Sequence, residues 1–301
     1  MSDGKWFSRD LKLADRARLV ALLDDARRPD AVFVRAALER LSQGEAAARD
    51  PSAMWWWGVF KNASDLEAVM AVENHSACVY SANEDAMKAF ANELYGMQRR
   101  SGQSAMSAAQ RHQWLGESKS MMHFWSVMKD LPNRKVVTDR ECDLMTVGER
   151  PDASPSSRIT LELATKGDER SVSDYTAELR LEQFQIDPRK ANREAHATRV
   201  AQTIAEGRQL VGKEKDTGRP FFVAELAPLT KDSLLLDQVY VPPHYRSRGK
   251  LMGGAFWAAA ALPQLAGKEL YYLAPDATLS GAAKSAGWKR VTGYRLIMTH
   301  G

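Results

Sequence analysis

One short segment, residues 234–256, constrains the fold of this chain more than any other. An apolar run, Leu234–Val241, has the composition of a buried strand and ends at two prolines. A basic turn that contains Gly249 follows it, and the small residues after Met252 predict a helix. The first N–H groups of a helix have no partner within the helix, and the helix dipole is positive at this end. The segment therefore predicts a strand, a turn and a helix start that together bind an anion.

The regions on either side of this segment predict further strands of one sheet. Upstream, the runs Arg208–Lys213 and Phe221–Leu226 flank a turn, which is typical of a hairpin. Downstream, Glu269–Ala274 predicts a strand, and the helix predicted over Thr278–Ala286 ends at Gly287. A last strand is expected to begin directly after this glycine.

The turn within the anion-binding segment matches a known pattern. It reads Arg246-Ser247-Arg248-Gly249-Lys250-Leu251 and resembles the Arg/Gln-x-x-Gly-x-Gly/Ala loop of the GCN5-related N-acetyltransferases (GNAT), from which only its last position departs. The order of elements is similar, and Gly287-Trp288 stands where the family often has Gly-Phe. The resemblance implies an α/β fold in which a mixed, mainly antiparallel twisted sheet is flanked by helices.

The resemblance also implies which residues contact acetyl-CoA, the co-substrate of that family. Strand residues pair with its pantetheine arm, the turn and helix start hold its pyrophosphate, and a family asparagine corresponds to an aspartate here. These implied coenzyme-binding residues are Val239, Tyr240, Val241, Arg246, Ser247, Arg248, Gly249, Lys250, Leu251, Met252 and Asp276. Leu251 brings bulk where the family has a small residue, while Gly253 and Gly254 leave room for the loop to shift along the chain.

Acetyl transfer to an amine needs a group that removes a proton from the ammonium. Asp237 is the candidate, near the position where many relatives carry a glutamate, and strand alternation predicts that it shares the side of Val239. Glu225 on the preceding strand is the reserve, and Glu182 and Asp187 are weaker candidates for contacting a cationic amine. The tyrosine that acts as general acid in the family corresponds to Ala283, whose side chain has no proton to donate.

A segment rich in proline and serine, Gly148–Ser157, has the composition of a linker. It predicts a first domain at residues 1–150 and a second at residues 151–301, the latter opening with a strand at Arg158–Ala164 and helices at about Glu169–Phe184 and Arg193–Glu206. The first domain is predicted to contain helices at Leu11–Asp25, Pro29–Leu41, Ala86–Tyr95, Ala105–Leu115 and Met121–Lys129, and strands at Trp55–Phe60, Leu66–Val72, Ala77–Tyr80 and Arg134–Thr138.

This order in the first half echoes the second half, but no basic glycine turn follows any of its strands. Taken whole, the chain resembles tandem GNAT-like proteins in which a degenerate N-terminal domain precedes an intact one; Pro29–Glu39 carries this resemblance in the first half. In the triplet Trp55–Trp57, neighbouring rings are expected to face opposite sides of a strand.

Composition limits the partners. The net charge of +4 suits a phosphate-bearing coenzyme and does not indicate nucleic acid. Cys78 and Cys142 have the spacing of neither a redox motif nor a metal site, and the histidines lack metal-ligand spacing, so no metal is expected. With no apolar run long enough to span a membrane, a cytoplasmic protein is predicted.

Three functions remain open at this point. The first is direct transfer of an acetyl group from acetyl-CoA to a primary amine on a small molecule or peptide. The second is a pseudoenzyme that binds acyl-CoA or a partner without catalysis. The third, an aminoacyl transferase that uses aminoacyl-tRNA, needs a basic RNA-binding surface that the modest net charge does not favour. A homodimer is left open.

Overall fold

A computed structural model describes residues 6–24, 31–42, 54–62, 65–73, 76–81, 83–101, 112–130, 135–262, 265 and 267–300. The chain divides into two compact units. The first comprises Met1–Cys142 and Thr292–Gly301, and the second comprises Asp143–Val291.

The first unit is a sheet with helices. Its strands are β1 (Trp6–Asp10), β2 (Met54–Lys61), β3 (Asp65–Glu73), β4 (Ser76–Ser81) and β5 (His112–Glu117), and its helices are α1 (Arg16–Asp24), α2 (Val32–Ser42), α3 (Glu84–Ser101) and α4 (Ser118–Met128). Strands β1 to β5 lie side by side in chain order. Neighbours are antiparallel except β4 and β5, which are parallel because α3 crosses over between them.

The second unit repeats this order of elements. Its strands are β7 (Ile159–Leu163), β8 (Gln209–Glu214), β9 (Pro220–Thr230), β10 (Ser233–Tyr240) and β11 (Glu269–Ala274), with the end of β6 (Lys135–Val147) and the start of β12 (Trp288–His300). Its helices are α5 (Glu169–Phe184), α6 (Pro188–Ala191), α7 (Arg193–Ala205), α8 (Pro243–Arg246), α9 (Gly249–Ala259) and α10 (Ala277–Ser285). The strand order is β6-β11-β10-β9-β8-β7. Only β10 and β11 are parallel, again across a helical crossover, among the pairings whose register is described.

The chain crosses between the units within strands. It leaves the first unit inside β6, between Cys142 and Asp143, and returns to it inside β12, between Val291 and Thr292. The predicted boundary after residue 150 lies just beyond the first crossing. The return of the chain to the first unit inside β12 was not predicted, because a continuous strand lacks the linker-like composition by which a domain boundary is recognised in a sequence.

Most predicted elements are present, but one predicted helix is wrong, and strand β1 and the one-turn helices α6 and α8 were missed. Instead of the helix predicted over Ala105–Leu115, residues 112–117 form β5; residues 105–111 lie outside the described residues. β5 has strand geometry because it pairs with β4 and β12, a tertiary cause that local pattern does not reveal. Strand β1, which pairs with β2, was missed because its sequence, Trp6–Asp10, is largely polar.

The core of each unit lies on the sheet faces. In the first unit, Trp56 belongs to the cluster with Leu23 and Val34, and Trp57 belongs to the cluster on the opposite face with Phe90. The prediction that adjacent rings face opposite sides is therefore confirmed for these two residues. In the second unit, α9 and α10 cover one face of the sheet, and α5 and α7 cover the other.

Among the described residues, Cys142 is buried and Cys78 half-buried, and neither forms a disulfide. No helix in the described ranges is both long and apolar enough to cross a membrane.

Candidate active site

Strand β10 carries a bulge near its end. Asp237 lies opposite Glu225 and Tyr240 lies opposite Val223, so three steps along β10 match two steps along β9. The extra residue is Gln238, whose φ of 50° is in the left-handed region that side chains other than glycine rarely adopt. The bulge changes the direction of β10 directly before the prolines that end it.

Beyond this point β10 separates from β11. Their parallel pairing covers four positions, from Ser233 opposite Glu269 to Leu236 opposite Tyr272. Within the described strands, the remainder of β10, from Asp237 to Tyr240, has no register partner in β11. Its backbone edge on that side is therefore available to pair with an extended ligand, as an exposed sheet edge does with a peptide.

The start of α9 follows this edge and is uncapped. Arg248 is the N-cap residue, and none of the described side chains accepts a hydrogen bond from the first turn. The Leu251 N–H donates to the Arg248 carbonyl at 2.9 Å. The N–H groups of Gly249 and Lys250 precede it, in the part of a helix where donors lack an internal partner. A Cβ at Gly249 would meet open space, so the approach to these donors is clear.

Two arginines flank this helix start, and both are paired with carboxylates. Arg246 Nη2 donates to Glu182 at 2.7 and 2.9 Å, while Arg246 Nε donates to the Val241 carbonyl at 2.8 Å. Arg248 Nη1 donates to Glu214 Oε1 at 3.0 Å. All four charged side chains are at least partly exposed, so an incoming anion can reach the guanidinium groups in exchange for these carboxylates.

A pocket of about 620 Å³ opens beside the helix start. Its lining includes Arg248, Lys250 and Leu251 of the predicted turn, with Arg158 and Glu214 from neighbouring strands and loops. Leu251 is half-buried against the apolar core, so its bulk is partly removed from the pocket. Asp216 also lines the pocket and pairs with Arg158, so the cationic side chains there stand beside two carboxylates, and the volume is sufficient for a diphosphate.

The alternative that the loop shifts toward Gly253 and Gly254 is wrong. Both glycines lie inside α9, where a Cβ at Gly253 would come within 2.5 Å of Ser285 Oγ and a Cβ at Gly254 within 3.1 Å of Ile159. Close packing of α9 explains both glycines and leaves no room for the shift, so the predicted turn stays at Gly249–Leu251, at the start of the helix.

The predicted base and its reserve lie side by side. Glu225 is buried and accepts hydrogen bonds from Arg208 and, at 2.6 Å, from Gln238 Nε2. Asp237 lies opposite Glu225 in the ladder, so both project from the sheet face that α5 and α7 cover. Val239 belongs to the core on the opposite face. The prediction that Asp237 shares the side of Val239 is therefore wrong, because the bulge at Gln238 breaks the alternation.

Solvent reaches the Asp237 side chain, yet protein atoms surround it closely. This desolvation raises the pKa of Asp237, and the nearby charge of Glu225 adds to the rise, while the Gln238 N–H, Arg199 and Arg180 oppose it. A carboxylate with a raised pKa is a stronger base than an ordinary one, which suits proton removal from an ammonium.

The remaining predicted residues have structural roles. Asp276 caps α10 by accepting from the Leu279 N–H at 2.9 Å. Ala283 is fully buried in the core. Tyr240 is the hydroxyl nearest in sequence to the bulge; burial and the charge of Glu182 raise its pKa to about 12, so it keeps its proton at neutral pH. Within the described ranges, no group of three or more ligating side chains is arranged to hold a metal ion.

Sequence reasoning missed two contributors to this site. Gln238 forms the bulge and holds Glu225, but glutamine in a strand gives no local signal of a left-handed conformation. Glu214 pairs with Arg248 from a strand 34 residues earlier in the chain, a contact that only the tertiary structure brings about.

No protein-family model matches the sequence, and no curated protein matches it. Solved structures do. A Drosophila protein from a structural genomics consortium aligns with a TM-score of 0.58 and 13% identity over 98% of both chains. A GCN5-related N-acetyltransferase from Sphaerobacter thermophilus aligns with a TM-score of 0.58 and 15% identity over 100% of this chain and 96% of that one. This chain has the GNAT fold.

A third similar structure is a tandem GNAT protein from the clavulanic acid biosynthesis pathway, solved without acetyl-CoA. It aligns with a TM-score of 0.51 and 11% identity over 98% of both chains. The predicted fold class, two successive GNAT-like units each with a mixed, mainly antiparallel sheet flanked by helices, is confirmed. At these identities the likeness establishes the fold, and the chemistry has to be argued from the site.

Proposed function

We propose that the second unit binds acetyl-CoA and transfers the acetyl group directly to a primary amine. One observation carries the proposal: the unpaired end of β10 leads into an uncapped helix start that Arg246, Arg248 and Lys250 surround. The free edge of β10 can pair with the extended pantetheine arm. The cationic start of α9, which follows it in the chain, can bind the diphosphate.

Each group has a place in the proposed reaction. The backbone of Val239 to Val241 would bind the pantetheine arm, and the N–H groups of Gly249 and Lys250 would bind the pyrophosphate with the two arginines. Bound acetyl-CoA supplies an activated thioester carbonyl. Backbone N–H groups at the unpaired edge of β10 are the donors that we assign to the carbonyl oxygen.

Asp237 is the proposed base. Its raised pKa favours acceptance of a proton from the incoming ammonium, and the Gln238–Glu225 hydrogen bond fixes the bulge next to it. Ala283 has no proton for the leaving sulfur, so we assign that proton to solvent. Because acetyl-CoA and two unbridged cysteines both suit a reducing compartment, we place the activity in the cytoplasm.

Calorimetric titration of CoA and acetyl-CoA into the whole protein tests the binding step. We expect Arg246→Ala/Arg248→Ala to weaken binding by about a hundredfold or more, since each charge-assisted hydrogen bond contributes about 1.5–3 kcal/mol. Arg170→Ala/Arg193→Ala removes two exposed arginines of the same unit and should leave binding unchanged. No heat with folded wild-type protein, or equal binding by both double variants, would contradict the proposal.

A non-catalytic acyl-CoA-binding protein is the second candidate, which the missing acid at Ala283 favours. Asp237→Asn separates the two candidates. An enzyme should keep coenzyme affinity and lose acetyl transfer by about a hundredfold, the usual effect of removing a general base. A binding protein would show no transfer to any amine before or after the substitution.

A further inference from the structure

A row of polar side chains crosses three neighbouring strands beside the bulge. Gln209 of β8 lies opposite Glu225 of β9, and Glu225 lies opposite Asp237 of β10. Cross-strand partners project from the same face. The next row on this face, Val211, Val223 and Tyr240, is buried and apolar. The polar row therefore interrupts an apolar face at the position where the proposed base lies.

Glu225 accepts hydrogen bonds from both sides within the row. Arg208 donates to it from one side and Gln238 from the other, and Arg208 also pairs with Glu206 at 2.6 Å. Gln209 is satisfied by the Ala224 carbonyl, to which it donates at 2.9 Å. Both side chains are hydrogen-bonded within the protein, so their role is to hold the polar row in place.

Two further guanidinium groups, from the helices that cover this face of the sheet, lie near the polar row. Arg199 of α7 lies 3.9 Å from Glu225, at the outer limit of an ion pair, and about half of its side chain is exposed. Arg180 of α5 is half-buried, and no described carboxylate lies within ion-pair distance of it. Burial lowers the pKa of Arg180, and the like charge of Arg199 lowers it further, so the two cations are close to each other and to Asp237.

Three guanidinium groups, of Arg180, Arg199 and Arg208, and three carboxylates, of Glu206, Glu225 and Asp237, lie in or beside the polar row. Arg208 is hydrogen-bonded to two of these carboxylates, whereas Arg180 and Arg199 have no hydrogen-bonded carboxylate among the described residues. A half-buried guanidinium without a hydrogen-bonded counter-ion is costly, and a bound carboxylate would relieve that cost. Because Glu225 is already hydrogen-bonded to Arg208 and Gln238, Asp237 is the carboxylate that can contact an ammonium group.

We propose that Arg180 and Arg199 bind the carboxylate of the acceptor while Asp237 contacts its ammonium, so that the acceptor is an amino acid or a similarly small zwitterion. The inference rests on the proposed acetyl transfer and names its substrate class. Polyamines and lysine-rich peptides fit poorly, because their additional positive charges would face two arginines.

The test compares amines that differ in one group. Lysine, phenylalanine and histidine are each assayed beside the amine that lacks the carboxylate: cadaverine, phenethylamine and histamine. The whole protein is incubated with acetyl-CoA, and release of free CoA thiol is measured. At least one amino acid should be acetylated, and its kcat/KM should exceed that of its partner amine at least tenfold.

Arg180→Met/Arg199→Met should remove that preference by raising KM for the amino acid at least tenfold, with little change in kcat and with CoA binding unchanged. Arg170→Met/Arg193→Met is the matched control on the same two helices and should keep the preference. Because methionine retains most of the apolar volume, thermal unfolding of both variants reports whether a loss reflects misfolding.

Outcomes that overturn the inference are separate from those that overturn acetyl transfer. If CoA binds but each partner amine has the same kcat/KM as its amino acid, or if no amino acid reacts, the proposed carboxylate subsite is refuted while coenzyme binding stands. If CoA does not bind, acetyl transfer fails, and saturation-transfer NMR of the same six compounds still tests the subsite. Equal NMR signals from amino acids and amines would then overturn it.

Discussion

The two units place a helix start at the same point of the same sequence of elements, with opposite chemistry. In the first unit, α3 follows β4 and is capped by Asn83, which accepts from the Asp85 N–H at 2.9 Å; its first turn carries Glu84 and Asp85. In the second unit, α9 has no side-chain cap and begins with Arg248, Gly249 and Lys250. A capped, acidic helix start repels an anion, whereas an uncapped, basic one binds it.

The strands that lead to these helices differ as well. Strand β4 pairs with β3 without a register shift up to Ser81, and the Ser120 hydroxyl of α4 contacts the Ser81 carbonyl at 3.3 Å. Both strands pair with their parallel neighbour over four positions, but β10 also has a bulge at Gln238 and extends further beyond that pairing, over residues 237–240. The comparison teaches that repetition of a fold does not repeat a site: the difference lies in one extra strand residue and in the first turn of one helix.

The largest expected effect comes from giving the second helix start the charge of the first. Gly249→Glu/Lys250→Asp reproduces the acidic first turn of α3, and it should weaken CoA binding at least several hundredfold, because two carboxylates would face the pyrophosphate and one cation would be lost. Calorimetric titration measures the loss. Glu84→Gln/Asp85→Asn in the first unit is the matched control, and we expect it to leave CoA affinity unchanged.

A binding loss in the control and none in the graft would reverse the assignment of the two units. The reverse change is also informative. Making the first turn of α3 basic should create no second binding site, because β4 has no bulge at its end and the Ser120 hydroxyl already donates to the Ser81 carbonyl there.

The next effect concerns stability and a carboxylate of the first unit. Asp15 is buried and accepts from Arg9 at 2.6 and 2.7 Å, from Arg18 at 3.0 Å and from the Lys12 N–H at 3.0 Å. The Arg9 hydrogen bonds hold the pKa of Asp15 far below its usual range. Asp15→Asn should therefore lower the free energy of unfolding by about 2 kcal/mol at pH 7.

The pH dependence of this loss has a defined sign. A depressed native pKa stabilises the fold above the unfolded pKa of about 3.9, and that stabilisation disappears as the pH falls toward the native value. Thermal unfolding of wild type and Asp15→Asn should consequently differ most above about pH 5 and converge in stronger acid. Asp130→Asn, which changes an exposed carboxylate of the same unit, should show no such difference.

Features of the fold and the site that arise from local sequence could be predicted, whereas features that arise from tertiary contacts could not. The strand-turn-helix at residues 234–256, the arginines of its turn and α5 were predictable, because composition and periodicity along the chain determine them. The side of the sheet that Asp237 faces was not, since it depends on a single inserted residue whose conformation comes from strand pairing. Glu214, Arg180 and Arg199 were also beyond reach, as folding brings them to the site from other strands and helices.

Asp237 should show the opposite pH behaviour to Asp15, with a smaller magnitude. Its native pKa is raised by desolvation, so its contribution to stability is present below the unfolded pKa and is lost as the pH rises through the native value. Asp237→Asn should stabilise the protein at pH 7 by roughly 0.5 kcal/mol, because solvent access reduces the effect. The gain should vanish below about pH 3.9, where the carboxyl is protonated in both states. Destabilisation at pH 7 would show that the charged form is favoured by its arginine neighbours.

The smallest expected effect on CoA affinity concerns the ion pairs of Arg246 and Arg248, whose carboxylate partners compete with the coenzyme for the two guanidinium groups. Glu182→Gln/Glu214→Gln removes the carboxylates that pair with Arg246 and Arg248, and CoA affinity should rise about two- to fivefold, since exposed ion pairs contribute at most about 1 kcal/mol. Glu194→Gln, an exposed change on α7, is the control. The gain should shrink in high salt, because salt screens the removed charges. A fall in affinity would mean instead that the two glutamates orient the arginines for the coenzyme. The second unit would then have a preorganised anion site at the start of α9, whereas the corresponding helix start in the first unit is capped and acidic.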